Sequence, residues 1–138
     1  YITFVGYKNA QEMADLLRSV HVAVVPSSIE NAPNSLAEAM LMGTPCIASF
    51  VGGNMDMLKH DEEGFLYCFN ESNMLAEYID RIFSSDKLAE HFSHNAMQTA
   101  QKRHDPELLV ENLNQIYETI IRKVGADDGH FEEIDKCD

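Results

Sequence analysis

The stretch Pro26-Ser27-Ser28-Ile29-Glu30-Asn31-Ala32-Pro33-Asn34-Ser35-Leu36-Ala37-Glu38-Ala39-Met40-Leu41-Met42-Gly43-Thr44-Pro45 decides how the chain is read. Before it, Val22-Ala23-Val24-Val25 is a short apolar run stopped by Pro26, the pattern of a buried strand entering a loop. After Asn34 the residues are apolar almost without a break until Gly43 and Pro45, which end a short helix. Cys46-Ile47-Ala48-Ser49-Phe50 then reads as the next strand. Strand, loop, helix and strand in this order predict a parallel α/β unit with a right-handed crossover.

Two carboxylates interrupt the pattern. The helix is apolar all round except for Glu38, which predicts a buried helix carrying one carboxylate that needs a partner. One reading is that Glu38 caps its own first turn, because Ser35-Leu36-Ala37-Glu38 fits the box S-x-x-E. Glu30 has no such explanation, since Pro33 keeps its loop out of the helix. A carboxylate accepts hydrogen bonds from two adjacent hydroxyls, and a helix amino terminus offers free N–H donors to phosphate.

The spacing Glu30-x7-Glu38, with Pro26-Ser27 before it and Ala39-Met40-x2-Gly43-x-Pro45 after it, resembles the family 4 glycosyltransferases of the GT-B fold. The resemblance continues through Val51-Gly52-Gly53 and Glu63-Gly64-Phe65-Leu66 and covers most of residues 1–124. It implies a Rossmann-like parallel sheet flanked by helices, the carboxyl-terminal, donor-binding half of such an enzyme. Carried across by position, Glu30 would contact the donor-sugar hydroxyls and is the catalytic candidate. Glu38 would hold the ribose hydroxyls, and the backbone N–H groups of Asn34 and Ser35 would meet the diphosphate, with Leu36 next to them in the donor-binding set. Gly52-Gly53 would lie near the donor sugar; the alternative is an ordinary strand-to-helix turn. The implied reaction moves a sugar from a nucleoside diphosphate to an acceptor hydroxyl, with retention and without a metal or other cofactor. The family has Pro-Glu where this chain has Met55-Asp56, so Asp56 receives no catalytic role.

The rest of the chain fills in around this unit. Ile2-Thr3-Phe4-Val5-Gly6 predicts a strand at the very start, from which a chain cut out of a longer parent is expected. The parent would supply an amino-terminal acceptor-binding domain and a basic residue for the phosphates. Peripheral membrane association of the parent through that domain is compatible with the resemblance. A helix is expected over 11–19 with Met13, Leu16 and Leu17 inward, a strand over 21–25, and a fourth strand over Gly64–Phe69. Three helices follow over 73–84, 86–103 and 106–124, the last with an apolar stripe. Residues 1–124 are thus read as the nucleotide-sugar-binding domain and 125–138 as an acidic, disordered tail.

Ten Lys and Arg against 23 Asp and Glu, a formal charge of −13 over 138 residues, exclude nucleic acid and anionic membrane surfaces as expected partners. The cysteines, Cys46, Cys68 and Cys137, form no C-x-x-C, and the first two sit in apolar runs. A reducing cytoplasm is expected. His91 and His94, at i and i+3, lack a third ligand and are read as a solvated face rather than a metal site. No GxGxxG, P-loop, serine elbow or internal repeat is present. The competing reading is a non-catalytic nucleotide-sugar-binding or interaction module of the same fold. With the acceptor half missing, the chain alone is expected to bind nucleotide weakly and not to turn over.

Overall fold

The computed structural model describes residues 1–127. The expected acidic tail lies, from residue 128 onward, outside the described residues. The chain divides into two compact units, 1–101 and 102–138.

In the first unit the order is α1 (Ala10–Ser19), β1 (Ala23–Val25), α2 (Asn34–Leu41), β2 (Cys46–Ser49), α3 (Asn54–Met57), β3 (Gly64–Tyr67), α4 (Ser72–Phe83) and α5 (Asp86–Arg103), whose last turn passes into the second unit. The three strands form one parallel sheet in the order β1-β2-β3, with Ala23 opposite Cys46 and Cys46 opposite Gly64. Every residue of β2 and β3 is buried, as a parallel sheet covered on both faces requires. Strand alternation sorts them. Cys46, Ala48 and Leu66 pack with Leu36, Met40 and Ala96 on one face, while Ile47, Phe65 and Tyr67 pack with Ile82 and Phe92 on the other.

The helix ends follow from local chemistry. Asn9 opens α1 with a reciprocal capping box: its side chain accepts from the Glu12 N–H at 2.9 Å, and its own N–H donates to Glu12 Oε2 at 3.0 Å. Met13, Leu16 and Leu17 are half-buried, as their spacing predicts. Gly43 closes α2 at φ +71°. There the Gly43 N–H donates to Met40 O and the Thr44 N–H to Ala39 O, both at 3.0 Å, which is a Schellman ending.

Several expectations are corrected. Residues 2–6 form no strand; Ile2 and Phe4 are almost fully exposed, and no neighbouring strand pairs with them, without which extended backbone has no ladder to join. The sheet of the described residues therefore has three strands, not four. The strand expected over 64–69 ends at Tyr67, leaving Cys68 exposed, whereas Cys46 is buried and its thiol is pushed up to about 12 by that burial. The one-turn helix α3 follows Gly52-Gly53 directly, as the strand-to-helix alternative for that pair has it.

The second unit carries α6 (Pro106–Asp127), three residues longer than expected. Its stripe of Leu109, Leu113, Ile116, Tyr117 and Ile120 is exposed, because no other element among the described residues of that unit offers it an apolar face.

Candidate functional site

The loops that leave β1 and β2 at their carboxyl ends meet, and the contact depends on two glycines. Gly52, at φ +47°, lies so close to Glu30 that a Cβ there would fall on the Glu30 carbonyl oxygen. A Cβ at Gly53 would fall on the carbonyl oxygen of Asn31. The Gly52-Gly53 pair is thus a clearance that lets the 51–53 turn support the backbone of residues 30–32.

On that supported loop the Glu30 carboxylate is held from two sides and half-buried. Ser27 Oγ donates to Oε2 at 3.1 Å, and the Asn31 N–H donates to Oε1 at 3.1 Å. Each carboxylate oxygen keeps acceptor capacity for a further donor.

The next turn of chain starts α2 at Asn34, with Pro33 as its cap. Proline offers no side-chain acceptor, so the N–H groups of Asn34 and Ser35 have no cap acceptor. Ser35 is inside the helix and makes no cap bond, and Glu38 lies beyond the first turn. The alternative reading of Ser35-Leu36-Ala37-Glu38 as a capping box is therefore not realised. A correction concerns burial: Leu36, Ala37, Ala39 and Met40 are buried, but Glu38 is exposed, as are Asn34 and Ser35. Asn34 and Glu38 are four residues apart and share a face, roughly 6 Å along the axis. Leu36 points the other way, into the core, and its N–H donates to the Pro33 carbonyl oxygen at 3.2 Å, so the structure leaves it no free donor for a ligand.

Glu38 borders a cleft of about 350 Å³ between α1 and α2, together with Lys8, Met13, Leu17, Leu41 and Met42. This cleft is apolar along its length, with one ammonium and one carboxylate on its edge. In the sequence Met13, Leu41 and Met42 carry no ligand signal, because a Met or Leu at helical spacing reads as core.

The structure thus brings Glu30, Gly52 and Gly53 together on one rim of the sheet and puts Asn34, Ser35 and Glu38 along one exposed helix face leading away from it. Ser27, Ser49 and Asn54 were missed. Their hydrogen bonds join residues up to 22 apart, and spacing carries no signal of that kind. Among the described residues no group of three His, Cys, Asp or Glu is placed to hold a metal ion. No described helix is long and apolar enough to cross a membrane.

These features define an open parallel α/β domain with its candidate site at the carboxyl ends of the strands. The family described as glycosyl transferases group 1 matches residues 1–99, and the chain belongs to it. It is 27% identical over 124 residues to an uncharacterized glycosyltransferase of Methanocaldococcus jannaschii, covering 90% of this chain and 32% of that protein. Among solved structures it is similar to sucrose-phosphate synthase from Thermosynechococcus elongatus, with TM-score 0.78, 31% identity, and coverage of 88% of this chain and 30% of that one. It is also similar to Anabaena HepE in complex with UDP and glucose, with TM-score 0.74, 28% identity, and coverage of 87% and 32%. The fold is that of GT-B glycosyltransferases. The chain spans about a third of the length of the curated relatives it matches.

Proposed function

We propose that this chain is the carboxyl-terminal, donor-binding part of a family 4 glycosyltransferase, and that its site holds a nucleoside diphosphate sugar along α2. The observation that carries the reading is the exposed face of that helix: uncapped N–H groups at Asn34 and Ser35, then Glu38 one turn on, at the edge of an apolar cleft. The diphosphate sits at the helix terminus, where free donors and the helix dipole favour negative charge. Glu38 accepts from the two ribose hydroxyls, and the base lies in the cleft against Met13 and Leu41. The sugar reaches the Glu30 loop, whose carboxylate accepts from its hydroxyls.

Transfer to an acceptor hydroxyl with retention, and reliance on backbone and basic donors rather than a metal, follow from the family 4 resemblance. An acceptor-binding domain of the parent completes the cleft, and this chain alone does not turn over, because placing donor against acceptor supplies much of the rate. A cytoplasmic site of action is part of the same proposal.

Amide NMR titration of the chain with UDP, GDP and ADP tests it. UDP comes first, given the UDP complex of the similar HepE. Saturable shifts over 34–38 are expected with one of the three, and Glu38→Ala should weaken binding about ten- to hundredfold, the worth of hydrogen bonds to a charged group. Wild-type resonances that do not move with any of the three nucleotides would refute the proposal.

A further inference from the structure

Hydrogen bonds from the start of α3 reach the backbone of Ser27, whose hydroxyl in turn bonds the Glu30 carboxylate. Asn54 Nδ2 donates to the Ser49 carbonyl oxygen at 2.9 Å and to Ser49 Oγ at 3.2 Å. Ser49 Oγ donates its single proton to the carbonyl oxygen of Ser27 at 2.5 Å. Ser27 Oγ donates to Glu30 Oε2 at 3.1 Å.

The direction of these bonds is set by their members. The Ser49 carbonyl can only accept, so Asn54 must present its amide nitrogen. Ser49 Oγ, receiving from Asn54, is left to give its proton to Ser27. This pins the Ser27 backbone, and the hydroxyl of the same residue faces Glu30. Ser49 and Asn54 have no exposed surface, whereas Glu30 is half-buried on the rim.

A second observation points the same way. Asn54 Oδ1 is buried with no hydrogen-bond partner. An orphaned acceptor carries a desolvation penalty that an apolar side chain at that position would avoid. A buried polar group of this kind calls for a reason to be there, and the two hydrogen bonds from Nδ2 to Ser49 supply one.

We propose that Ser49 and Asn54 are positioning residues for Glu30, acting through Ser27, so that they govern the hold on the donor sugar and not on the nucleotide. The inference rests on the reading of Glu30 as the sugar-contacting carboxylate given above. The same serine chain carries its own ligand-free signature, because the Asn31 N–H bonded to Glu30 Oε1 reports the carboxylate's placement.

The test uses the 138-residue chain with Ser49→Ala, Ser27→Ala, Glu30→Gln and the double variant Ser49→Ala/Glu30→Gln. Ser49→Ala removes one oxygen without adding bulk, and Ser27→Ala breaks only the last link on the loop. In the free chain both serine variants should shift the Asn31 amide resonance, and an unmoved Asn31 resonance in both overturns the proposal whatever sugar the site takes. With UDP and UDP-glucose as probes, each should leave UDP affinity within about twofold and cut the gain conferred by the glucose about two- to tenfold, the range of one ordinary hydrogen bond. Ser49→Ala added to Glu30→Gln should change that gain no further. Equal losses of UDP and UDP-glucose, or additive effects in the double variant, would show a merely structural role. If Glu30→Gln itself leaves the glucose gain untouched, the functional reading of Glu30 fails and takes this inference with it. If Glu30→Gln abolishes the gain while both serine variants preserve it, only the inference falls.

Discussion

Alanine at Gly53 is a sharper probe of this domain than alanine at a glycine with unusual backbone. Gly53 has φ −68°, an angle any residue adopts. Reasoning from backbone angles alone therefore makes Gly53→Ala neutral, or stabilising by about 0.5 kcal/mol through the unfolded chain. Packing says the opposite. The new Cβ would coincide with the Asn31 carbonyl oxygen, lie 2.7 Å from the Asn31 carbonyl carbon and 3.4 Å from Ala32 Cα. All three are backbone atoms, so no side chain can swing away and the 30–32 loop itself must move. Overpacking against a rigid neighbour costs about 3 kcal/mol, the upper end of its usual range, leaving about 2.5 kcal/mol of net destabilisation. At about 2 cal/mol/K per residue over a unit of this size, the melting temperature falls by about 12 °C.

Gly43→Ala is the comparison. There φ is +71°, but the nearest obstacle is the Ser93 hydroxyl at 3.1 Å, a side chain that can rotate. It should cost about 1 to 2 kcal/mol for the left-handed backbone and little more. Urea unfolding followed by circular dichroism ranks the two, with an unchanged m-value certifying that only stability has moved. The expected order is Gly53→Ala worse than Gly43→Ala, accompanied by a displaced Asn31 amide. The reverse order, or a Gly53→Ala protein within about 0.5 kcal/mol of wild type, would refute the claim that this glycine exists to admit the Glu30 loop.

Three further outcomes are expected. Asn9→Ala, which dismantles the capping box of α1, should cost about 1 kcal/mol and speed amide hydrogen exchange in that helix; unchanged exchange would mean that the box contributes nothing. Iodoacetamide at pH 8 should label Cys68 in the native chain and Cys46 only after denaturation, as read by peptide mapping, because burial holds the Cys46 thiol neutral; labelling of native Cys46 at the rate of Cys68 would contradict that. For the same reason the stabilisation from keeping that thiol neutral is fully present below its unfolded value of 9.0 and is lost as pH rises toward about 12, so alkaline destabilisation between those limits should be smaller in Cys46→Ala.

What could be read from the residues themselves had local causes. Pro26 after an apolar run, Gly43 and Pro45 after another, and Pro106 at a helix start each restrict backbone angles in their immediate neighbourhood, so the strand–loop–helix order, the approximate element limits and the parallel sheet were legible. The two carboxylates stood out because each interrupts a pattern. The limits of α5 matched to the residue, since Asp86 and Arg103 bound an uninterrupted helical pattern.

Tertiary structure decided what depends on meeting a distant partner. Residues 2–6 have every local mark of a strand, yet a strand exists only where another offers its N–H and C=O groups, and none among the described residues does. Ser35-x-x-Glu38 has the letters of a capping box, but α2 is capped at Pro33, two positions before Ser35, so the box cannot close. Glu38 looked buried because its neighbours in sequence are apolar, whereas its exposure is set by the position of α1 across the cleft. Gly52-Gly53 was recognisable as a pair with some duty, and the duty was visible only once the Glu30 carbonyl lay against it. The hydrogen-bonded line from Asn54 through Ser49 and Ser27 to Glu30 left no trace in spacing at all. A hydrogen bond requires two groups within about 3 Å in space and is indifferent to how many residues of chain separate them.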